Sequence, residues 1–225
     1  MTGTPTTAGT FSFTARVTDS ASSTATQAFS IGISASSSPS PLFVEDFSGT
    51  LANWTIVDEG TINAPSAWSV LGGQMVQSSN IYGGSTDGTD PVKPGSFALA
   101  GNTSWADYEF NVSLMGQDDD GIGVMFRYQN PQNYYRFSMD SQRAYRRLTK
   151  TVGGVTTILA QDSVAYTLNQ WSAVKITAVG SQIQVSVNGV LLFNVTDSSI
   201  ASGKIGLYVW GEQGAYFDDV SVNQK

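Results

Sequence analysis

The stretch DDDGIGVMFRYQNPQNYYRFSMD, Asp118 to Asp140, decides the fold. It opens on three adjacent carboxylates and runs on as two alternating segments. In 121–128, Ile122, Val124, Phe126 and Tyr128 share one parity, and Met125 and Arg127 share the other. In 133–140, Tyr135, Phe137 and Met139 take one parity; Tyr134, Arg136, Ser138 and Asp140 take the other. Side chains two residues apart lie on one face of a strand, so each segment has an apolar face and a second face of different chemistry.

The same period continues on both sides. Candidate strands fall at 42–47, 66–71, 96–100, 106–115, 121–128, 133–140, 144–151, 154–160, 171–179, 182–187, 190–195, 203–210 and 214–222. Gly153-Gly154 and Asn188-Gly189 are tight-hairpin dipeptides, because type I′ turns need positive φ at both central residues. The pattern predicts an all-β fold, a two-sheet antiparallel sandwich of jelly-roll type over 42–225. Residues 10–18 and 26–33 alternate as well and predict a short β segment ahead of it. SASSSPSP, from Ser34 to Pro41, reads as a linker over 35–41, giving divisions at 1–34, 35–41 and 42–225.

Composition excludes much chemistry. The chain has 225 residues, 40% of them hydrophobic, enough for a substantial core. It has no Cys, hence no disulfide and no thiolate metal site. It has no His, hence no Ser-His-Asp triad, His-ligated zinc or His base. No apolar run reaches the roughly 18 residues of a membrane helix. The start, MTGTPTTAGTFSF, has no charged or apolar leader and reads as a boundary cut into a longer chain.

Two resemblances appear. TGTPTTAGTFSFTARVTDSASSTATQAFSIGI resembles the last third of bacterial Ig-like domains and implies a remnant of one. DDDGIGVMFRYQNPQNYYRFSMD, QWSAVKITAVGSQIQVSVNGVLLF and GKIGLYVWGEQGAYFDDVSV resemble the concanavalin A-like lectin/glucanase superfamily, closest to thrombospondin C-terminal lectin-like domains and bacterial carbohydrate-binding modules. This implies a concanavalin A-like sandwich over about Phe43–Val222. It also implies structural Ca²⁺ in loops such as Asp118–Asp119–Asp120. A second shared site is implied between Asp46, near the first strand, and Asp218 or Asp219 in the final YFDDV. The residues alone leave a solvated turn open as the alternative at Asp118–Asp120. The parity break at Asp218-Asp219 predicts a β-bulge.

The second parity suggests a ligand face. If the strands are neighbours, Arg127, Tyr134, Arg136, Tyr145, Arg147, Tyr208 and Trp210 collect on one sheet surface. Aromatic rings can stack on sugar C–H faces, while arginines bond hydroxyls or carboxylates. Between residues 127 and 150 six cations face Asp140 alone, net +5, in a chain of net charge -7. Such an island favours an anionic polysaccharide, with a solvated outer sheet face laced by Arg–Asp pairs as the alternative; the overall negative charge disfavours nucleic acid. Trp105 and Tyr82 flank loops where they could rim a site.

Only four glutamates occur, and the E-x-D-x-x-E pairing of glycosidases on this fold is absent. The expectation is a non-catalytic carbohydrate-binding module of a secreted, multidomain bacterial protein, calcium-stabilised, with a polysaccharide or glycan as partner and no membrane insertion. A polysaccharide lyase using Tyr134 or Tyr145 with Arg127 and Arg147, or a cell-surface adhesion module, is the alternative.

Overall fold

The computed structural model describes residues 7–33 and 41–225. The chain divides into two compact units, Met1–Pro39 and Ser40–Lys225. The first is a hairpin of β1 (Gly9–Thr18) and β2 (Thr24–Ile33), in register from Gly9↔Ile33 to Thr18↔Thr24. The Asp19 carboxylate accepts from the amides of Ala21 and Ser23 and fixes the turn. Phe11, Phe13 and Val17 line up with Phe29 and Ile31 on one exposed face, and Phe13 stacks on Phe29 at 5.5 Å. The expected linker, apart from Pro41, lies outside the described residues.

The second unit is the expected antiparallel sandwich. Numbered in chain order, its first sheet runs β12 (Val155–Asp162), β11 (Tyr145–Val152), β10 (Asn133–Asp140), β9 (Gly121–Asn130), β16 (Lys204–Trp210), β7 (Ser96–Ala100), β4 (Thr55–Asp58). The second runs β15 (Val190–Thr196), β14 (Gln182–Val187), β13 (Ser172–Val179), β8 (Tyr108–Gly116), β17 (Ala215–Gln224), β6 (Gln74–Gln77), β5 (Trp68–Leu71). A short β3 (Phe43–Glu45) pairs with the end of β17. The only regular helix among the described residues is one 3₁₀ turn, Leu51–Asn53.

Alternation builds the core. In β8, Tyr108, Phe110, Val112 and Leu114 are buried while Glu109, Asn111, Ser113 and Met115 are half-exposed. They meet Ile122, Val124, Phe126, Phe137, Leu148 and Leu207 from the first sheet. Each such side chain contributes about 1.5–3 kcal/mol on burial. Asn188-Gly189 and Gly153-Gly154 adopt the positive φ their turns require.

The register slips in β9, β12, β15 and β17, and two of these bulges bear on the sequence reading. The expected one lies in β17, where the register against β8 slips between Asp218 and Ser221 and Asp219 sits at φ 53. The other, at Arg127, corrects the sequence reading. Arg127 has φ 46, and β9 slips register there against both β10 and β16. The extra residue reverses parity, so Tyr128 leaves the main core and joins Met125, Tyr134 and Tyr208 on the outer face. The Arg127 side chain, 0% exposed, turns inward instead of joining the ligand face. Its guanidinium donates to the Ala106 and Ile200 carbonyls and lies 3.7 Å from Asp107. Its amide donates to the Tyr108 hydroxyl.

Arg127 therefore plugs the end of the sandwich. Removing it strands the buried Ile200 carbonyl, so Arg127→Leu is expected to cost about 1–3 kcal/mol in urea unfolding. Arg146→Ala, which breaks the more exposed pair with Asp162, is expected to cost less than about 1 kcal/mol. Equal urea midpoints for the two variants would refute the plug.

Candidate functional site

The outer face of the first sheet gathers six of the seven expected ligand residues. Ser138 stands opposite Arg147 on one side and Gly123 on the other, and Tyr208 stands opposite Gly123. Arg136 stacks over Tyr208 at 4.6 Å, and Arg147 over Tyr145 at 4.0 Å.

The face is not open to a ligand, however. Tyr134, Arg136, Tyr145, Arg147, Tyr208 and Trp210 are each at most 6% exposed. The irregular segment 78–95 runs over them. Arg136 donates to the carbonyls of Lys93 and Pro91, and Arg147 to those of Asp90 and Gly88. The Tyr208 hydroxyl donates to Lys93 O at 2.6 Å, and Trp210 Nε1 to Gly83 O at 2.8 Å. Lys93 folds its own ammonium onto the Ser85 and Asp87 carbonyls. A segment outside any sheet carries carbonyls with no ladder partner, and burial obliges them to find donors. The arginines supply those donors. Gly95 lets the segment reach the sheet: a Cβ there would overlap the Val209 carbonyl.

The basic island is matched internally. Arg143 pairs with Asp120 at 2.6 Å and Asp140 at 3.1 Å, Lys150 with Asp197 at 2.5 Å, and Arg146 with Asp162. Acids distant in sequence neutralise what looked like an uncompensated window. Burial and the nearby Asp140 charge push the Tyr145 hydroxyl up to about 12, the wrong direction for a proton-abstracting base at neutral pH.

An open pocket of about 210 Å³ lies where this covered face ends. Half-exposed Tyr82 forms its aromatic wall, backed edge to face by the buried Trp210 at 5.6 Å between centroids. Arg143, stacked on Trp210 at 4.6 Å, and Asp120 form its charged side; Asn80, Thr86 and Gln142 complete it. Asn80 Oδ1 is buried without a donor among the described residues. Burial raises the Asp120 carboxyl pKa, opposed by Arg143. Tyr82 was legible as a possible rim aromatic. Asn80, Gln142 and Arg143 come from turns with no periodic signal. Trp105 packs against the core at Phe43.

The carboxylates of Asp118, Asp119 and Asp120 offer oxygens within 4.8 Å of one another, the one such acidic group of three among the described residues. Asp120 is partly committed to Arg143, and Asp118 Oδ1 accepts from the Asp119 amide. Asp119 has no side-chain hydrogen bond among the described residues. Three adjacent carboxylates offer fewer than the six to eight oxygens that Ca²⁺ takes. Asp46, Asp218 and Asp219 are not brought into such a group. Asp46 caps the Ser48 amide, Asp218 the Asp219 amide, and Asp219 accepts from Ser113.

Behind the acidic loop lies buried Glu212, which takes the Asp118 amide at 2.8 Å and contacts the Tyr166 hydroxyl at 2.7 Å. Tyr166 Oη also lies 2.6 Å from Asp118 O and 3.0 Å from Asp120 O. One hydroxyl proton cannot serve three acceptors; a protonated Glu212 supplies the second. Burial accordingly pushes the Glu212 carboxyl up to about 8.

The architecture is that of lectin-like β-sandwiches. The chain belongs to the 3-keto-alpha-glucoside-1,2-lyase-like domain family, whose model matches residues 42–223. Its fold is similar to carbohydrate-binding module CBM66 from Bacillus subtilis, with TM-score 0.61 and 20% identity, over 76% of this chain and 95% of that one. It is also similar to a Bacillus licheniformis β-glucanase, with TM-score 0.58 and 13% identity, over 83% of this chain and 99% of that one. A relative, the extracellular exo-alpha-L-arabinofuranosidase of Streptomyces chartreusis, is 30% identical over 99 residues, 44% of this chain. The match spans 10% of that enzyme's length. Among the described residues no helix is long and apolar enough to cross a membrane.

Glu212 makes a pH prediction. Its folded pKa lies above its unfolded value, so the native state binds the extra proton and stability falls as pH rises from about 4.3 toward 8. Glu212→Gln, which keeps the donor without the charge, is expected to flatten the fall of melting temperature over that range. Parallel pH profiles for the two proteins would show that Glu212 is ionised in the native state.

Proposed function

We propose that the domain is a carbohydrate-binding module of a secreted protein and that it grips sugar in the pocket between Tyr82, Trp210 and Arg143. The observation that carries this is the pocket's chemistry: an aromatic wall beside planar amide, guanidinium and carboxylate groups. A pyranose or furanose ring presents an apolar C–H face and a polar hydroxyl rim, and needs both kinds of partner. The lectin-like fold, the family's description and the naming of CBM66 support a sugar ligand.

A neutral sugar fits better than an anionic one, because the arginines are already paired with acids or spent on backbone carbonyls. A binding role fits better than a lyase role, because the proposed tyrosine bases are covered and Tyr145 is harder to ionise than free tyrosine. The glucoside and arabinofuranoside named for the family and the relative make gluco- and arabino-oligosaccharides the first ligands to try. By calorimetry, Tyr82→Ala and Gln142→Ala are each expected to weaken binding about tenfold or more, on the order of 1.4 kcal/mol. Unchanged affinity in both variants would remove the pocket from the function.

Structural Ca²⁺ belongs to the proposal at Asp118–Asp120. An ion that binds only the native state stabilises it by about 2.7 kcal/mol at a hundredfold excess over Kd. That corresponds to roughly 5–10 °C for a domain of this size. Adding Ca²⁺ after EDTA is expected to raise the melting temperature, and Asp119→Asn to abolish the rise. A melt indifferent to both additions would leave the loop as a turn held by Arg143 and Tyr166.

A further inference from the structure

A second opening lies on the other side of the same two turns. It occupies the outer face of the second sheet, has a volume of about 660 Å³, and is lined by Ser69, Ser78, Gln117, Gln213 and Tyr216. The strand register places Ser69, Val76, Tyr216 and Met115 in one row across β5, β6, β17 and β8. Tyr216 and Phe217 point to opposite faces: Phe217 is in the core, while Tyr216 is half-exposed.

The polar groups here differ from those on the covered face. Among the described residues, the Tyr216 hydroxyl, the Gln117 and Gln213 side-chain amides and the Ser69 hydroxyl have no protein hydrogen-bond partner. Gly214, at φ 90, makes room for Gln117, since a Cβ there would lie 2.9 Å from its Oε1. No Lys or Arg lines the groove. A phenol ring, two amides and two hydroxyls with only Asp118 as a charge suit a neutral sugar chain rather than a uronate or sulfate.

The two openings are adjacent through their walls. Asp118 lines the groove and Asp120 the pocket; Gln213 and Gly214 line the groove and Gly211 the pocket. Two residues of extended chain span at most about 7 Å, so the walls meet within about the length of a sugar ring.

We propose that the Tyr216 groove is a second sugar-binding site, and that the module takes an extended neutral oligosaccharide lying across the 117–120 and 211–214 turns. This rests on the reading of the domain as a carbohydrate-binding module. Occupying both sites makes the second contact intramolecular, so affinity grows with chain length without new contacts at either site.

The test is calorimetric titration of the full chain with gluco- and arabino-oligosaccharides of one to six units. In the series that binds, affinity is expected to rise roughly tenfold or more from the monosaccharide to the hexasaccharide. Tyr216→Ala, and independently the exposed Gln213→Ala, are expected to cut hexasaccharide affinity several-fold while the melting temperature stays near wild type. The second variant guards against a Tyr216→Ala protein that folds poorly. If affinity is independent of length, or both variants bind hexasaccharide as wild type does while Tyr82→Ala loses it, the groove is not a sugar site and the first pocket stands alone. If wild type binds no member of either series, the carbohydrate-binding reading fails and takes the groove with it.

Discussion

Buried backbone carbonyls met by cationic donors are the interaction on which this domain's surface depends. Segment 78–95 joins no sheet beyond one isolated bridge at Tyr82, yet its inner side lies against one, with Lys93 and Gly95 buried. Arg136, Arg147 and Lys93 supply the hydrogen bonds a ladder would have supplied. Hydrogen bonds to charged groups contribute about 1.5–3 kcal/mol each, and losing one leaves the acceptor unsatisfied. The arrangement holds only as a whole: the segment buries the arginines, and the arginines satisfy the segment. It leaves no open surface at the sheet centre; at the rim Trp210 stays buried and Tyr82 is half-exposed.

Much of the fold was legible from the chain because alternation, turn dipeptides and core size all pointed to one answer. The 118–140 stretch marked two central strands, and Asn188-Gly189 marked a hairpin. The short β4 and β6, four residues each, offered too few positions for a period to show. Arg127 was misplaced for a different reason. Its bulge uses a non-glycine residue at positive φ, so the apolar alternation reads straight through it in sequence and breaks only in space. The parity break at Asp218-Asp219 showed because the apolar residues themselves change phase there.

The site was less legible. Parity did assemble Tyr134, Arg136, Tyr145, Arg147, Tyr208 and Trp210 on one surface. It could not show that residues some 40–130 positions earlier would cover them, since Gly83, Gly84, Pro91 and Pro94 read locally as a solvent loop. The charge window left two readings open, an anionic ligand or Arg–Asp pairing, and the structure shows the pairs. Asp120, Asp162 and Asp197 neutralise it from outside the window or its far edge, and pairing across a sheet leaves no trace in a linear count. Asn80 and Gln142 enter the pocket through turn geometry alone.

The pairing of β3 with β17 sets how the domain bears load. Val220 stands opposite Glu45 and Val222 opposite Phe43, and the Leu42 amide donates to Val222 O at 2.7 Å. The first and last strands thus lie side by side and run antiparallel, with the two ends of the domain at the same end of that pair. Tension applied through both ends does not shear these hydrogen bonds together. It loads them one after another, beginning at Leu42, as a zip opens. The domain is thereby suited to hang from a single point of attachment, and unsuited to carry force in line between two neighbours.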